Sequence, residues 1–344
     1  MRLAPRLRAL RVALTFPRPG ATPAARPFDK LRTGQGRFRG VPAIGVLATV
    51  AALSGCAGLS TTSAVRLDET PRIAVITAFE PEIVLLNQRL QGAKRYSVNG
   101  NAFTTGTLEG KPVVLFLSGI SMTNATMNTQ VALDRFKITN IVFSGIAGGV
   151  NPSLHIGDVT VPVQWGQYLE VLMARETAPG RYTPPPWMKD ATLPAFGMMH
   201  PRPVEVRSAA QPDITRKFWF EVDPKMLAVA RSIGTVDLAN CAAGKCLATK
   251  PKLVIGGNGV SGQAFMDNKA YREYVFKNYQ ANTLDMETAA VGMVAYSNGV
   301  PYIAFRSLSD LAGGGEEENE MGTFMGIAAD NSAKVMLAFL AAWK

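Results

Sequence analysis

Histidine is almost absent from this chain of 344 residues, and its scarcity limits the chemistry that the protein can perform. Only His155 and His200 occur, and neither stands at a spacing typical of metal ligands. We therefore expect no metal site, and we predict no other cofactor. No internal repeat is visible, and the length suits one large domain or two small ones.

Acidic residues are scarce near the N-terminus, and this imbalance accounts for most of the net charge of +10. Residues 1–56 contain ten Lys or Arg and one acidic residue, Asp29, which together give +9. Everything after Cys56 therefore contributes only +1. Because the basic charge belongs to this leader, we exclude nucleic acid as a partner.

The leader also lacks a hydrophobic run long enough to span a membrane. Its apolar stretch from Val41 to Leu53 follows a basic segment and is shorter than the roughly 20 residues that a span needs. The stretch ends in Leu-Ser-Gly-Cys at 53–56, which resembles a bacterial lipobox. We expect an exported protein, periplasmic or anchored to the membrane only through a lipid on Cys56. An ordinary cleaved signal and a short anchor are the alternatives.

Cysteine is rare as well, with three residues in the chain. Once Cys56 is assigned to the leader, Cys241 and Cys246 remain as a pair. An even pair in an exported protein is typical of a disulfide, and the short spacing allows the two Cα atoms to approach each other. A metal-binding pair is the alternative, which the two isolated histidines do not favour.

Strand-like and helix-like segments alternate from Arg72 onward, after a small polar stretch at 57–71 that we interpret as a disordered tether. Continuous apolar strands are predicted at 72–79, 111–120, 138–149 and 300–310. Amphipathic helices separate them, and the last helix is predicted over 330–343 with an Asp or Asn cap. The pattern predicts an α/β domain over 72–344, a three-layer sandwich whose sheet is covered on both faces.

Periodicity is lost over about 166–235, where proline and aromatic residues dominate. We interpret this region as an insertion of long loops around one helix near Pro224–Ile233. Loops of this length are uncommon unless they serve a function or an interface. A lid over the ligand and a subunit contact are the two roles that we expect.

Acidic side chains stand at the ends of predicted strands, where ligands bind in open α/β sheets. Glu82 follows the first strand, Glu287 precedes a helix, and Asp310 ends the last predicted strand. Glu82 could simply favour a helix N-terminus, and Asp310 could cap the segment that follows. Glu287 is harder to explain, because an uncompensated carboxylate among apolar residues is costly. The residues alone predict an α/β enzyme with a carboxylate-lined pocket.

Five motifs in order along the chain resemble the nucleoside phosphorylase superfamily: ITAFEPEI, FSGIAGGVNPSLHIGDVTVP, VSGQAFMDN, DMETAAV and FRSLSDLAG. The similarity covers roughly 72–340 apart from the insertion and is greatest to the 5′-methylthioadenosine/S-adenosylhomocysteine nucleosidase branch. The insertion and the cysteine pair look more like the plant bark storage protein branch, which shares the fold. The resemblance implies a central mixed, mostly parallel sheet and a homo-oligomer, with a dimer favoured.

The resemblance also implies roles for individual residues. Glu82 matches the residue that activates the attacking water, and Asp310 matches the acid that protonates the purine at N7. Met286 and Glu287 match the pair that holds the ribose. The other implied substrate contacts are Ala78, Phe79, Gly148 in the glycine loop 144–149, Phe265, Met266 and Ser309, which holds the carboxyl group of Asp310. Phe265 could instead be a core residue. Cleavage of an N-glycosidic bond needs an acid at the base and negative charge near the sugar.

Residues that differ from the family pattern indicate whether water or phosphate is the nucleophile. Phosphorolysis needs a cationic pocket, and the phosphorylase branch has an arginine and a phosphate-binding serine where this chain has Phe143 and Ile146. Their loss favours hydrolysis of a purine nucleoside or a 5′-thio-adenosyl nucleoside. Gln263 replaces an aspartate of the nucleosidases, and Arg306 could contact an anion or form a structural salt bridge. A phosphate-dependent purine nucleoside phosphorylase and a non-catalytic nucleoside-binding or storage-like protein are the alternatives.

Overall fold

The computed structural model describes residues 65–188, 193–242, 244–315 and 318–344; the leader, with Cys56, and residues 57–64 of the predicted tether lie outside the described residues. The helices are α1 (Glu80–Arg89), α2 (Met122–Arg135), α3 (Pro224–Ser232), α4 (Lys269–Tyr279), α5 (Thr288–Asn298) and α6 (Met321–Ala342). The strands are β1 (Asp68–Thr77), β2 (Gln91–Val98), β3 (Asn101–Leu108), β4 (Lys111–Leu117), β5 (Phe136–Gly149), β6 (Val159–Val161), β7 (Gln164–Gln167), β8 (Val171–Met173), β9 (Arg175–Ala178), β10 (Arg181–Thr183), β11 (Met199–Pro201), β12 (Val204–Val206), β13 (Thr215–Lys217), β14 (Trp219–Glu221), β15 (Cys241–Ala242), β16 (Lys245–Cys246), β17 (Leu253–Ile255), β18 (Asn258–Ser261), β19 (Ala281–Asp285) and β20 (Tyr302–Asp310).

A large mixed sheet forms the centre of the domain. Its hydrogen-bonded order is β14-β7-β18-β19-β5-β1-β4-β3-β2, with β20 beside β5 and with β6 and β17 attached through β20. β1 runs parallel to β4 and β5, and β20 also runs parallel to β5. β2, β3 and β4 form an antiparallel meander at one edge. The predicted α/β fold with a central mixed sheet and flanking helices is confirmed.

β1 and β20 contain the apolar runs 73–76 and 302–305. The stretch Ile73–Thr77 of β1 is buried, and so is every residue of β20. α2 packs against α5, and α6 packs against both α1 and β20. Strands covered on both faces carry near-continuous apolar runs, which explains why these two were recognisable in the sequence.

The last helix differs from its predicted start. α6 begins at Met321, well before the cap that was predicted at Asp330 or Asn331. The Asn331 side chain is buried, and its amide donates to the carbonyl oxygens of Ala239 at 3.0 Å and Gly157 at 3.3 Å. The prediction was wrong because a polar residue that satisfies buried carbonyl groups looks like a helix cap in the sequence.

Two other predicted boundaries are also wrong. β1 begins at Asp68, inside the stretch assigned to a tether, and Arg72 Nη2 lies 2.7 Å from Asp68 Oδ2. The glycine stretch 144–149 is not a loop, because β5 continues to Gly149 and pairs with β20. Glycine is generally unfavourable in strands. We therefore attribute the extended conformation of 144–149 to the close packing around these residues.

The insertion is not the set of long loops that was predicted. It contains the short antiparallel pairs β8–β11, β9–β10 and β12–β13, and β7 and β14 near its ends join the central sheet. Phe196 packs edge-on against Tyr271 of α4, with the ring centroids 4.8 Å apart. The helix expected near Pro224–Ile233 is present as α3.

Cys241 and Cys246 form a disulfide across the hairpin β15–β16, with their Cα atoms 4.0 Å apart. The pairing agrees with the prediction from sequence. The hairpin lies near α6, because Lys245 Nζ is 3.5 Å from Thr323 Oγ1. The disulfide therefore closes a small loop beside the start of the last helix.

One described helix, α6, is long and apolar enough to cross a membrane by length and composition. Of its most apolar window, 61% is buried inside the protein. Its buried residues include Phe339, which packs on Phe305 of β20 at a ring separation of 5.2 Å. This packing is typical of a core helix.

Candidate active site

One cavity of about 320 Å³ is lined by residues at the ends of β1, β5 and β20. Its lining contains Glu82, Glu287 and Asp310, which come from three distant segments of the chain. It also contains every predicted substrate contact: Ala78, Phe79, Gly148, Phe265, Met266, Met286 and Ser309. The lining residues that sequence reasoning did not select for the site are Ile120, Ile146, Ala147, Ala264, Leu284, Asp285 and Met321. The fold thus brings the selected carboxyl groups to one place.

Glu82 is held by backbone N–H groups from two strand ends. It lies in the first turn of α1, where Oε2 accepts a hydrogen bond from Ala78 N at 2.6 Å and Oε1 accepts one from Ile146 N at 2.8 Å. Burial raises the pKa of the Glu82 carboxyl group, whereas Arg306 and these N–H groups oppose the rise. The carboxyl group is therefore fixed in orientation between β1 and β5.

A buried arginine connects the carboxyl groups beneath the cavity. Arg306 has no exposed surface; its Nη1 lies 3.9 Å from Glu82 Oε1 and its Nη2 lies 3.8 Å from Glu287 Oε2. Its Nε lies 2.7 Å from Asp285 Oδ2. The guanidinium also stacks on Phe143, with Cζ 4.0 Å from the ring centroid. Arg306 is the centre of a buried ionic cluster and is not an exposed anion contact.

Sequence reasoning missed Asp285, although it directly precedes the selected pair Met286 and Glu287. Its carboxylate accepts hydrogen bonds from the hydroxyl groups of Ser261 and Thr288. The Thr288 hydroxyl in turn accepts from Arg306 Nη2 at 2.8 Å. The sequence signal for Asp285 is weak, because its strand, ANTLD at 281–285, contains two polar residues besides the aspartate.

Glu287 shows a strong electrostatic perturbation at the N-terminus of α5. Its Oε1 accepts a hydrogen bond from Ser121 N at 2.8 Å. Burial and the neighbouring Asp285 raise the pKa of Glu287 to about 8, although Arg306 and Ser121 oppose the rise. Three carboxyl groups share one guanidinium, and the raised pKa of Glu287 favours its protonated form at neutral pH.

The N–H group that holds Glu287 belongs to a residue with a strained backbone. Ser121 has φ 84° and ψ 151°, and its side chain makes no capping hydrogen bond to α2. This region of backbone conformation suits glycine and costs other residues about 1–3 kcal/mol. Strain of this kind is typical of functional sites, and here it accompanies the hydrogen bond to Glu287.

Asp310 lies in a different environment. Its Oδ1 accepts a hydrogen bond from Ala312 N at 2.8 Å, and its Oδ2 accepts one from the Ser309 hydroxyl at 2.9 Å. Burial raises the pKa of Asp310 and Asp267 adds to the rise, whereas hydrogen bonds from Ala312 and Ser309 oppose it. Within the described chain no basic residue forms an ion pair with Asp310. The site therefore offers one isolated acid and one cluster around a guanidinium.

Phe265 and Gly148 line the same cavity as Asp310. Phe265 is 54% exposed and lines the cavity, so its alternative assignment to the core is wrong. A Cβ atom at Gly148 would lie 3.2 Å from Asp310 Oδ1, so the glycine keeps the space next to the carboxyl group open. Gln263 Oε1 accepts a hydrogen bond from Thr123 Oγ1 at 3.0 Å and is not a lining residue.

The charged side chains of the cavity lining are all acidic: Glu82, Asp285, Glu287 and Asp310. No Lys, Arg or His belongs to the lining as the structure describes it. Over the described ranges, no group of three or more His, Cys, Asp or Glu side chains is arranged to hold a metal ion. The electrostatics favour a neutral ligand over a polyanion.

The fold and the site define an α/β protein with a carboxylate-lined cavity at the strand ends. The sequence profile of the Phosphorylase superfamily matches residues 72–341, and the chain belongs to this superfamily. The 5′-methylthioadenosine/S-adenosylhomocysteine nucleosidase of Lysinibacillus sphaericus is 30% identical over 272 residues, which are 78% of this chain and 99% of that protein.

Solved structures of nucleosidases share the fold. The 5′-methylthioadenosine/S-adenosylhomocysteine nucleosidase of S. pneumoniae superposes with a TM-score of 0.57 at 23% identity, covering 79% of this chain and 99% of that one. The futalosine hydrolase of Helicobacter pylori gives 0.58 at 22% identity, covering 78% and 97%. The predicted superfamily is confirmed, and the expectation of a nucleosidase-type enzyme agrees with the names of these relatives.

Gly145 has no side chain, and this leaves room for the ionic cluster around Arg306. Replacing Gly145 with alanine tests how closely that cluster is packed. A Cβ atom there would overlap Arg306 Nη1 and would lie 2.5 Å from Glu82 Oε1. We expect Gly145→Ala to lower the free energy of unfolding by about 1–3 kcal/mol, measured by chemical denaturation. Gly234→Ala is the control, because a Cβ atom at Gly234 meets nothing within 4 Å. Equal stability of the two variants would contradict the packing described for Arg306.

Proposed function

We propose that this protein hydrolyses the N-glycosidic bond of a purine nucleoside, and of a 5′-thio-substituted adenosine in particular. The observation that carries the proposal is the division of the carboxyl groups in one cavity: Glu82 and Glu287 share Arg306, whereas Asp310 has no basic partner among the described residues. An isolated acid and a separate carboxylate are the two groups that glycosidic cleavage uses. The names of the relatives support the assignment.

Asp310 is assigned the role of general acid. When the bond between C1′ of the ribose and N9 of the purine breaks, its electron pair remains on the base. A proton that passes from Asp310 to N7 neutralises this charge. Because burial raises the pKa of Asp310, the group keeps its proton at a higher pH than a free aspartic acid does. Ser309 and Ala312 fix the orientation of the carboxyl group.

Glu82 is assigned the role of activating the attacking water. Its carboxyl group lines the cavity, and Arg306 Nη1, 3.9 Å from Oε1, favours the ionised form. A water molecule in the cavity can donate a hydrogen bond to this carboxylate. Its oxygen forms the new bond to C1′ as the bond to N9 breaks, and its proton passes to Glu82. The products are the free base and the ribose with its 5′ substituent.

Glu287 is assigned the role of binding the ribose. Its carboxylate would accept hydrogen bonds from ribose hydroxyl groups while Met286 packs on the ring, and correct positioning can contribute several kcal/mol to the lowering of the barrier. Positive charge develops on the sugar as the bond breaks. That charge favours the ionised forms of Glu287 and Glu82, against the upward pKa shifts that burial causes.

Water is the nucleophile in this proposal because the cavity lining, as far as the structure describes it, gives phosphate no free cation. Arg306 is already paired with carboxyl groups and is covered on one face by Phe143. The backbone N–H of Ile146 donates to Glu82, so it is not free to bind an anion. A phosphate dianion would also be repelled by the acidic lining.

The substrate is inferred to carry an uncharged 5′ substituent. Apolar side chains such as Phe79, Ile120 and Met321 occupy much of the lining apart from the carboxyl groups. Burying a charged 5′ group among them would be costly without a partner, whereas a thioether would not. This chemistry supports a 5′-thio-adenosyl nucleoside within the broader class of purine nucleosides.

A panel of nucleosides tests the reaction class. We expect the purified protein to release adenine from methylthioadenosine in buffer without phosphate, and we expect added phosphate to leave the rate unchanged. Free base is measured by chromatography, with adenosine and inosine as comparison substrates. Strict dependence on phosphate would identify a phosphorylase. Intact nucleoside bound after long incubation would identify a non-catalytic binding protein.

Asp310→Asn tests the general acid. We expect kcat to fall about 100- to 10,000-fold while methylthioadenosine still binds, because the amide cannot supply the proton. In the wild-type protein the rate should fall as pH rises through the pKa of Asp310, since activity requires the protonated form. Asp134→Asn, at a residue of α2 outside the cavity, is the control and should keep wild-type kinetics. A wild-type rate for Asp310→Asn would remove Asp310 from the mechanism.

We also propose that the mature chain begins at Cys56 and carries a lipid there, on the strength of the Leu-Ser-Gly-Cys motif behind an apolar run. After expression in a bacterial host, the protein should fractionate with membranes and incorporate labelled fatty acid. Cys56→Ser should lose the label, because the hydroxyl group cannot form the thioether. A wild-type protein that is unlabelled and recovered without membranes would contradict this proposal.

A further inference from the structure

Behind the turn that follows Asp310 lies a buried arginine to which the proposed reaction gives no role. Arg272 on α4 is only 9% exposed, and its Nε donates to the carbonyl oxygen of Gly149 at 2.9 Å. Burial lowers the pKa of the Arg272 guanidinium, and the neighbouring Glu273 opposes the shift. Within the described chain no carboxylate pairs with Arg272.

The guanidinium of Arg272 contacts the turn Leu311–Gly314. The Gly314 N–H donates to the Leu311 carbonyl at 2.9 Å and closes the turn. A Cβ atom at Gly314 would lie 2.5 Å from Cζ and 2.6 Å from Nη1 of Arg272, so the guanidinium packs directly on the backbone. Arg272 thus connects the end of β5 with the turn after β20.

The same turn carries the N–H group that holds the proposed acid. Ala312 donates to Asp310 Oδ1 at 2.8 Å while its own φ is 51°, in the left-handed region. This conformation costs a residue with a side chain about 1–2 kcal/mol, so the turn depends on its neighbours for support. Gly148, next to the Arg272 contact at Gly149, faces the same carboxyl oxygen.

We propose that Arg272 is a positioning residue for Asp310: its guanidinium clamps the Leu311–Gly314 turn to the end of β5, so that the Ala312 N–H remains on the Asp310 carboxyl group. The hydrogen bond from Arg272 Nε to Gly149 and the closest packing, on Gly314, both involve backbone atoms. The planar guanidinium group therefore matters, and not its charge alone. The kinetic consequence of this inference rests on the proposed function, whereas its structural consequence does not.

The groups around Asp310 determine the direction of the pH effect. Asp267, in the loop before α4, raises the pKa of Asp310 and itself accepts a hydrogen bond from Asn319 at 3.0 Å, whereas Ser309 and Ala312 lower that pKa through hydrogen bonds. Loss of the Ala312 contact therefore raises that pKa further. The alkaline limb of the rate profile should move to higher pH, and the weaker acid should lower the maximal rate.

Hydrogen exchange tests the clamp without any assay of turnover. We expect the amides of the segment 310–315 to exchange faster in Arg272→Met, in Arg272→Lys and in Gly314→Ala, measured by mass spectrometry on the full chain. Gly315→Ala is the matched control for the loop, because a Cβ atom at Gly315 meets nothing within 4 Å. Lys277→Met, at an exposed residue of α4, is the control for the helix. Unchanged exchange in all three clamp variants would overturn the proposal.

Kinetics test the connection with Asp310. We expect kcat of Arg272→Met to fall about 10- to 100-fold with little change in KM, together with an alkaline limb at higher pH. Arg272→Lys should behave like Arg272→Met, because it keeps the charge but lacks the planar donor. In an Asp310→Asn background the Arg272 substitution should cost nothing further, because the group that it positions is already gone.

The outcomes separate this inference from the proposed function. If the wild-type protein hydrolyses nucleosides but Arg272→Met keeps its rate, pH profile and exchange, only the clamp is wrong. If the wild-type protein is inactive on every nucleoside, the proposed function is wrong, and exchange alone decides the clamp. Equal losses from Arg272→Met in the wild-type and Asp310→Asn backgrounds would overturn the positioning role, because they would show that Arg272 acts independently of Asp310.

Discussion

The buried guanidinium of Arg306 is the charge on which the arrangement of this site depends. It lies within ion-pair distance of Glu82, Asp285 and Glu287, which belong to α1, β19 and the start of α5. Each of these carboxyl groups would be costly to bury without a cation, and together they exceed the charge that one guanidinium can balance. Because Arg306 stands in a fully buried strand, the central sheet fixes the positions of all three acids.

Asp310 is four residues further along the same strand but is held by a hydroxyl group and a backbone N–H instead of a cation. This difference gives one cavity two kinds of carboxyl group, an arrangement that suits acid catalysis at one end of a bond and charge stabilisation at the other. Small residues keep the two regions close without overlap: Gly145 leaves room for Arg306, and Gly148 leaves room for Asp310. The glycine stretch is thus a feature of packing more than of flexibility.

Much of the site could be predicted because its residues stand at recognisable strand ends. Glu82, Glu287 and Asp310 interrupt apolar segments, where a charge needs a function or a partner. Asp285 was not predicted as a site residue because it lies close to Glu287. One sequence cannot show which of two neighbouring acids faces the cavity and which faces Arg306. The true start of α6 was also missed, because the buried role of Asn331 depends on carbonyl groups of residues distant in the chain.

The sequence by itself determined the alternation of buried strands and amphipathic helices, since period and apolar content are local properties of the chain. It also determined which acidic residues stand at strand ends. Only the tertiary structure decided that Arg306 is enclosed by three carboxyl groups, that the region 166–235 forms hairpins, and that Arg272 supports the turn behind Asp310. These features depend on contacts between residues far apart in the chain, and charge pairing and packing across such distances leave no periodic signal in the sequence.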